Sequence, residues 1–177
     1  MNSRELYLLT VKENGIPQAL HGKLSRGEKV LLEERAGKYY LKASERAKFS
    51  VVLTGGVFDV LHIGHVLTLQ KARELGDLLV VVVATNETVE KRKGKKPLHA
   101  ADYRCGMVNE LKPVGLAIVG ETDWMATFAR VKPDVVAFGY DQKPIPLPDG
   151  CKSAHLESVK VDPAFATTSR IIRELGI

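Results

Sequence analysis

From residue 50 onward, short apolar runs alternate with segments whose apolar positions recur at helical spacing. Residues 78–85 are continuously apolar and β-branched, which is typical of a strand covered on both faces in a parallel sheet. Residues 66–75 place an apolar side chain on one side of a helix at Val66, Leu69, Ala72 and Leu75. The alternation predicts an α/β domain with a five-stranded parallel sheet and helices on both faces. Its predicted strands are 50–53, 78–85, 114–119, 135–138 and 155–161, and its helices are 66–75, 101–111, 124–131 and 168–175.

Residues 1–49 follow a different pattern and form a separate N-terminal segment in this prediction, with the main domain over 50–177. They predict helices over 4–13 and 16–24, a third helix capped by Ser25 and containing residues 30–32, and a strand at 39–41. This order resembles a small winged helix-turn-helix module, which implies possible contact with DNA. The alternative is a helical appendage that packs on the main domain or builds a dimer contact.

The stretch between the first strand and the first helix of the main domain carries the candidate chemistry. Its glycines follow the strand end, and two histidines, His62 and His65, lie three positions apart around Gly64. In an open α/β sheet ligands bind at this edge, and the free N–H groups of a helix start favour phosphate. Two converging imidazole rings can donate hydrogen bonds to a phosphate that gains charge during a reaction. The alternative is that one histidine caps the helix and the other packs.

Gly56-Val57-Phe58-Asp59 followed by His62-Ile63-Gly64-His65 resembles the nucleotidyltransferase superfamily of cytidylyltransferases and adenylyltransferases. The resemblance covers about residues 50–176 and implies a Rossmann-like fold. It also implies attack by a substrate phosphate or carboxylate on the α-phosphate of a nucleoside triphosphate, with pyrophosphate leaving. His62 and His65 would be catalytic residues on the α-phosphate. The nucleotide cradle would comprise Thr54, Gly55, Gly56, Val57, Phe58 and Asp59.

Residues 86–97 are predicted to be a loop at the same sheet edge, and residues 90–97 within it form a strongly charged, basic run. Its lysines would neutralise a triphosphate, and the resemblance makes Lys96 the third catalytic residue and Arg104 a nucleotide-binding residue. The alternatives are a solvated charge run and an ordinary ion pair of Arg104 on a helix surface. Mg²⁺ is the implied cofactor, held chiefly by the nucleotide, with no metal ligand assigned to the chain.

Two later motifs complete the resemblance. Residues 139–142, Gly-Tyr-Asp-Gln, resemble a segment of archaeal FAD synthetases, which are adenylyltransferases acting on flavin mononucleotide (FMN). Gly139 and Asp141 are therefore predicted to bind nucleotide, although Asp141 is also a plausible turn residue. Thr167, Thr168 and Ser169 resemble the family's C-terminal hydroxyl motif and are predicted to bind the β- and γ-phosphates, with a plain helix N-cap as the alternative.

Composition narrows the classes of protein. The chain of 177 residues is 45% hydrophobic and has two cysteines, Cys105 and Cys151, without ligand-like spacing. Free thiols and the lack of an apolar signal core or long apolar run predict a cytoplasmic protein without a membrane span. The net charge is +5, and residues 1–49 carry most of it, with ten lysines and arginines against six acidic residues. This mild basic excess fits phosphate ligands or a weak nucleic-acid surface without deciding between them.

Three functions remain open from the sequence. The favoured one is transfer of a nucleoside monophosphate, preferably from ATP, to a small phosphorylated acceptor such as FMN by a homodimeric enzyme. The second is a CTP-dependent cytidylyltransferase acting on a phosphorylated alcohol such as glycerol 3-phosphate. The third is a nucleotide-sensing regulator that binds DNA through residues 1–49.

Overall fold

The computed structural model describes residues 1–121, 123–140, 142–157 and residue 171. The helices are α1 (Ser3–Lys12), α2 (Gln18–Gly22), α3 (Arg26–Val30), α4 (Ala43–Arg46), α5 (Ile63–Arg73), α6 (Asn86–Lys93), α7 (Ala101–Asn109) and α8 (Trp124–Val131). The strands are β1 (Ile16–Pro17), β2 (Leu32–Arg35), β3 (Lys38–Leu41), β4 (Val51–Gly56), β5 (Leu78–Val83), β6 (Leu116–Val119), β7 (Val135–Phe138) and β8 (Lys152–His155).

Five parallel strands in the order β6-β5-β4-β7-β8 form the central sheet. The first strand of the domain, β4, lies in the middle, and the order reverses between β4 and β7. β4 and β5 pair along six residues, from Val51 opposite Leu78 to Gly56 opposite Val83. The predicted five-stranded parallel sheet of Rossmann-like type is therefore confirmed.

Helices cover both faces of this sheet, as predicted. On one face, Leu69 and Ala72 of α5 and Val108 of α7 pack against the buried side of β5. On the other face, Leu6 and Val11 of α1 lie in one cluster with Val131, at the end of α8, and the opposite side of the strands. Alternate residues of each strand thus enter two separate apolar layers, which explains why β5 is continuously apolar.

The N-terminal residues form the four helices α1 to α4 and a three-stranded antiparallel sheet in the order β1-β3-β2. This is the element order of a winged helix-turn-helix module. Ser25 caps α3 through a capping box with Glu28, as its position predicts. The prediction that Leu32 belongs to the third helix is wrong, because Leu32 begins β2 and pairs with Leu41.

The N-terminal module shares its core with the main domain. Tyr7 Oη donates a hydrogen bond to the carbonyl oxygen of Val131 at 2.7 Å, and Arg130 donates to the carbonyl oxygens of Val11 and Lys12. Arg46 donates to the carbonyl oxygen of Lys132 and forms an ion pair with Asp134. The packing predicted for an appendage is therefore present together with the winged-helix order.

Two element predictions in the main domain are wrong. The predicted loop at 86–97 is mostly helix α6, which Thr85 caps and Gly94 ends with a φ of +67°. Its sequence is almost entirely polar, and among its residues only Val89 is buried, so no apolar stripe marked it. The fifth strand is Lys152–His155, an edge strand that pairs with β7 and ends at the residue where the predicted strand begins. Residues 158–161 of that prediction lie outside the described part of the chain. The helix predicted at 168–175 lies outside the described residues, apart from residue 171.

Candidate functional site

The candidate site lies where the strand order reverses, at the carboxyl ends of β4 and β7. In open α/β sheets a ligand crevice is expected at such a reversal of strand order, because the connections from the two strands leave toward opposite faces. The side-chain amide of Gln142 joins the two strand ends: Nε2 donates to the carbonyl oxygen of Gly55 at 2.8 Å. Its Oε1 accepts from the backbone N–H of Gly139 at 2.9 Å. Gln142 was not among the predicted site residues, although its position three residues past a strand end was the available signal.

The two histidines lie together at the start of α5. His62 is the N-cap residue but makes no side-chain capping bond, and His65 follows in the first turn. Their rings are stacked with centroids 3.9 Å apart and planes 27° apart, and Phe58 lies 5.2 Å from the His65 ring. Both Nδ1 atoms are buried and have no hydrogen-bond partner within the described part of the chain. His62 therefore occupies the cap position without a side-chain capping bond, and the two rings form one stacked pair.

Both histidines are held in the neutral form at neutral pH. Burial lowers the pKa of His62 below its ordinary value. Burial, together with the nearby His62 and Lys93, lowers the pKa of His65 to about 4. A neutral imidazole presents one N–H donor and one acceptor nitrogen, so the pair can bind a phosphate oxygen without carrying charge itself.

The turn after β4 brings its backbone close to this pair. Phe58 has a φ of +53°, an uncommon conformation for a non-glycine residue, and its ring folds back over Gly56. A Cβ on Gly56 would lie 2.7 Å from Phe58 Cε2, so this position requires glycine. Thr54 is buried and its Oγ1 donates to the carbonyl oxygen of Ala137, which fastens β4 to β7. The predicted cradle is thus shaped by the backbone of Gly55, Gly56 and Val57, with Thr54 as a support beneath it.

Asp59 fastens the cradle to the segment that precedes α7. Its carboxylate accepts hydrogen bonds from the backbone N–H groups of Leu98 at 2.7 Å and His99 at 2.9 Å. Burial by itself would raise the pKa of Asp59, but these N–H groups and the His99 ring outweigh burial and lower it. The carboxylate is therefore ionised and already has partners in the chain.

Arg104 is fully buried and ties together the loops around the cradle. It donates to the carbonyl oxygens of His99 at 2.9 Å, Val57 at 2.6 Å and Ala84 at 2.8 Å, and to the side-chain oxygen of Asn86 at 2.8 Å. The alternative of a helix-surface ion pair is wrong for this residue. Its guanidinium lies behind the cradle instead, as a buried positive charge whose pKa burial lowers and Asp59 raises.

The predicted basic segment begins inside α6 and continues past its end. Lys91, Arg92 and Lys93 form the last turn of the helix, and Lys93 is near enough to His65 to lower its pKa. Lys96 is exposed and comes two residues before Leu98, whose N–H binds Asp59. The Asp59 contact therefore fixes the far end of the segment carrying Lys96 beside the cradle.

The remaining predicted residues divide into two groups. Gly139 follows β7 at the crevice, where its N–H is held by Gln142. Four predicted residues lie outside the described part of the chain: Asp141, Thr167, Thr168 and Ser169. Within the described ranges, no group of three or more His, Cys, Asp or Glu side chains could hold a metal ion. No helix in those ranges is long and apolar enough to cross a membrane.

Comparison with known proteins gives a consistent picture. A family model described as cytidylyltransferase-like matches residues 53–171. The FAD synthase of Aciduliprofundum boonei is 54% identical over 93 residues, which cover 52% of this chain and 62% of that protein. The FAD synthase of Thermococcus sibiricus is 37% identical over 134 residues, which cover 70% of this chain and 90% of that protein. The match therefore spans less than two thirds of the length of the Aciduliprofundum relative.

A solved structure shares the fold. The lipopolysaccharide core biosynthesis protein from Thermoplasma volcanium superposes with a TM-score of 0.57 at 35% identity. The superposition covers 63% of this chain and 99% of that one.

Proposed function

This chain belongs to the cytidylyltransferase-like family, and we propose that it transfers AMP from ATP to FMN, which makes FAD and pyrophosphate. Two observations support the proposal. The stacked histidines at the helix start beside the crevice suit transfer at an α-phosphate. The relatives named FAD synthase suggest the acceptor. The histidine pair is the observation on which the proposed reaction depends, because it supports transfer at an α-phosphate whichever acceptor is used.

In the proposed reaction a phosphate oxygen of FMN attacks the α-phosphorus of ATP. A new phosphorus–oxygen bond forms, the bond from the α-phosphorus to the bridging oxygen of the β-phosphate breaks, and pyrophosphate leaves. The enzyme supplies no nucleophile, so catalysis rests on positioning and charge stabilisation. The neutral His62 and His65 rings donate to the α-phosphate oxygens, which gain charge as phosphorus becomes five-coordinate.

The cationic groups act on the leaving pyrophosphate. Lys96, with Thr167, Thr168 and Ser169, is proposed to hold the β- and γ-phosphates. Lys93 adds positive potential beside His65, and the Arg104 charge lies behind the cradle. Mg²⁺ would enter with the triphosphate and neutralise it there, which suits a site without a carboxylate cluster among the described residues.

The second candidate is a cytidylyltransferase that uses CTP and a phosphorylated alcohol. The same histidine pair would serve it, because the chemistry at the α-phosphate is identical for both nucleotides. The preference for ATP and FMN rests on the relatives' names and on the Gly139–Gln142 segment, whose Gln142 closes the crevice between the strand ends.

A pyrophosphate-release assay that crosses ATP and CTP with FMN and glycerol 3-phosphate tests the proposal. We expect release only with ATP and FMN, with FAD identified as the product by chromatography. The matched control is the double variant His62→Ala/His65→Ala, which should release almost no pyrophosphate under the same conditions. Release with CTP and glycerol 3-phosphate, and none with ATP and FMN, would replace the first candidate by the second.

The setting of the reaction stays a prediction. A cytoplasmic location fits the two free cysteines, and a homodimer is testable by light scattering. DNA contact through the N-terminal module is testable by charge reversal at Lys23 and Arg26, which are exposed around the α2–α3 turn. If the module binds DNA, duplex binding should fall in these variants and depend steeply on salt in the parent chain.

A further inference from the structure

A cavity of about 680 Å³ lies between the N-terminal module and α8. Its walls come from α1, the β2–β3 hairpin, α4 and α8, and none of the residues assigned to the transfer site lines it. A volume of this size matches the cavities that hold small molecules and cofactors, roughly 300–1,000 Å³. The cavity is therefore a second place where this chain can bind a ligand.

Positive charge dominates the lining. Four cationic side chains face one carboxylate: Arg35, Arg46, Arg130 and Lys132 against Glu121. Two of these cations have acidic partners that do not line the cavity, since Arg46 pairs with Asp134 and Arg35 bonds Glu33. Arg130 Nη1 lies 3.8 Å from Glu121. Within the described ranges Lys132 has no ion-pair partner, so one positive charge remains uncompensated.

Arg46 is held in this lining by several hydrogen bonds. Its two terminal nitrogens bond the carbonyl oxygens of Phe49 and Lys132 and the carboxylate of Asp134. Its Nε is buried and has no hydrogen-bond partner in the described part of the chain. The bonds of the terminal nitrogens hold the Arg46 guanidinium in place as a cation in the cavity wall.

Aromatic rings line the same space. The guanidinium of Arg46 lies 5.2 Å from the centroid of the Tyr7 ring, and that of Arg35 lies 6.0 Å from the centroid of Tyr40. The tyrosine rings and the flat guanidinium groups offer stacking surfaces for a planar ligand. A ligand that combines an aromatic ring with an anionic group meets both parts of the lining.

We propose that this cavity binds an aromatic phosphate, a ligand of the mononucleotide class, at a site separate from the transfer site. Such a ligand would contact α8 on one side and the β2–β3 hairpin on the other, and so link the N-terminal module to the main domain. Flavin and adenine nucleotides share this chemistry, and the choice between them is made by experiment. The inference rests on the proposed function only for the equivalent that the transfer site would bind, and the cavity variants test the second site by itself.

The test is the binding stoichiometry of the full chain, measured by calorimetric titration with FMN and, separately, with AMP. Two variants change the cavity. Ala129→Phe places a ring in it from an exposed position of α8, and Arg35→Gln/Lys132→Asn removes two cations. Asparagine suits position 132, because Lys132 has a φ of +50°. The matched controls are Ala47→Phe and Lys152→Gln, which change exposed residues outside the lining.

We expect two equivalents of at least one probe in the parent chain and in both controls. We expect a single equivalent, or at least tenfold weaker binding at the second site, in both cavity variants. If only FMN supplies the second equivalent, the cavity is a flavin site, and if only AMP does, it is an adenine site. If both probes bind there, the cavity recognises the combination of an aromatic ring and a phosphate. Binding in the parent chain that neither cavity variant weakens would overturn the proposal, as would no binding of either probe. One equivalent that both cavity variants abolish would support the cavity site and contradict binding at the transfer site.

Discussion

Replacing Leu6 by alanine should destabilise the main domain as well as the N-terminal module. Leu6 lies in α1 and is fully buried in the cluster that includes Val51, Leu53 and Val80 of the central sheet. Substitutions of this type in a packed core cost about 2–5 kcal/mol, because apolar contact is lost and a cavity is left. Since a whole domain is stable by only about 5–15 kcal/mol, this loss is large. In a chain of this length it corresponds to a fall of roughly 4–20 °C in Tm.

The only tryptophan of the sequence gives a local probe for this test. Trp124 begins α8 in the main domain, far along the chain from Leu6. If the two parts share one core, Trp124 fluorescence and far-ultraviolet circular dichroism should report a single transition, lowered by the same amount. The control is Val30→Ala, a change in the same module at a side chain that is 61% exposed, which should shift the free energy of unfolding by less than about 0.5 kcal/mol.

The opposite result has a clear form. If Leu6→Ala left the Trp124 transition in place while a separate, earlier transition appeared, residues 1–49 would be an independent unit. The same result would require a chain beginning at Lys48 to fold normally. We expect instead that this shortened chain unfolds or aggregates, because its sheet loses the cover that α1 provides.

Three further predictions concern the site. His65→Ala and His62→Ala should each lower the turnover rate by a factor of about 10²–10³ with little change in triphosphate affinity. The double variant should lose less than the product of the two single losses, because both rings act on one phosphate. Near-normal turnover in either single variant would contradict a catalytic role for that histidine. Between pH 6.5 and about 4 the unfolded chain binds more protons than folded His65 does, so stability should fall as the pH drops through this window. That fall should be smaller in His65→Ala, and equal slopes in acid-titrated urea unfolding would contradict it. Arg104→Lys cannot restore all four bonds and should cost about 2–5 kcal/mol in urea unfolding, while the exposed control Arg92→Lys should cost almost nothing.

The parts of the fold that the sequence predicted well are those whose apolar side chains are buried in a regular pattern, on both faces of a strand or on one side of a helix. β5, β7 and α8 carry strong apolar patterns, and the last two were placed with the bounds that the structure shows. The parts that failed bury little. β8 is an edge strand with mostly exposed side chains, and α6 is polar around most of its circumference. The spacing of apolar residues reflects which side chains are buried. An element that is stabilised by capping or by pairing at a sheet edge therefore shows almost no apolar pattern in the sequence.

In the N-terminal module the strand predicted at 39–41 is confirmed as β3, whereas β1 and β2 were missed. For β2 the reason is a related one. Leu31 and Leu32 follow directly on α3, and their apolar run reads as a continuation of that helix. The structure instead ends α3 at Val30 and directs Leu32 into the core opposite Leu41, which starts a hairpin closed by Ala36 and Gly37, both with positive φ. Leu32 is in a strand because it pairs with β3, which lies beyond the turn. The residues next to Leu32 in the sequence therefore do not show that it is in a strand.

The sequence predicted Arg104 and Asp59 as site residues by type and missed Gln142, and it did not show which groups are bonded within the chain. The side chains of Arg104, Asp59 and Gln142 could bind a nucleotide, yet each of them is hydrogen-bonded to backbone atoms of neighbouring loops. These partners lie up to 87 residues away in the chain, as for Gln142 and Gly55, so only the fold supplies them. The histidine pair shows the reverse pattern, because its Nδ1 atoms are buried within the described structure without partners. A preorganised site needs both kinds of residue: a few groups left unpaired for the reacting phosphate, and others fully bonded so that the cradle keeps its shape when the charge arrives.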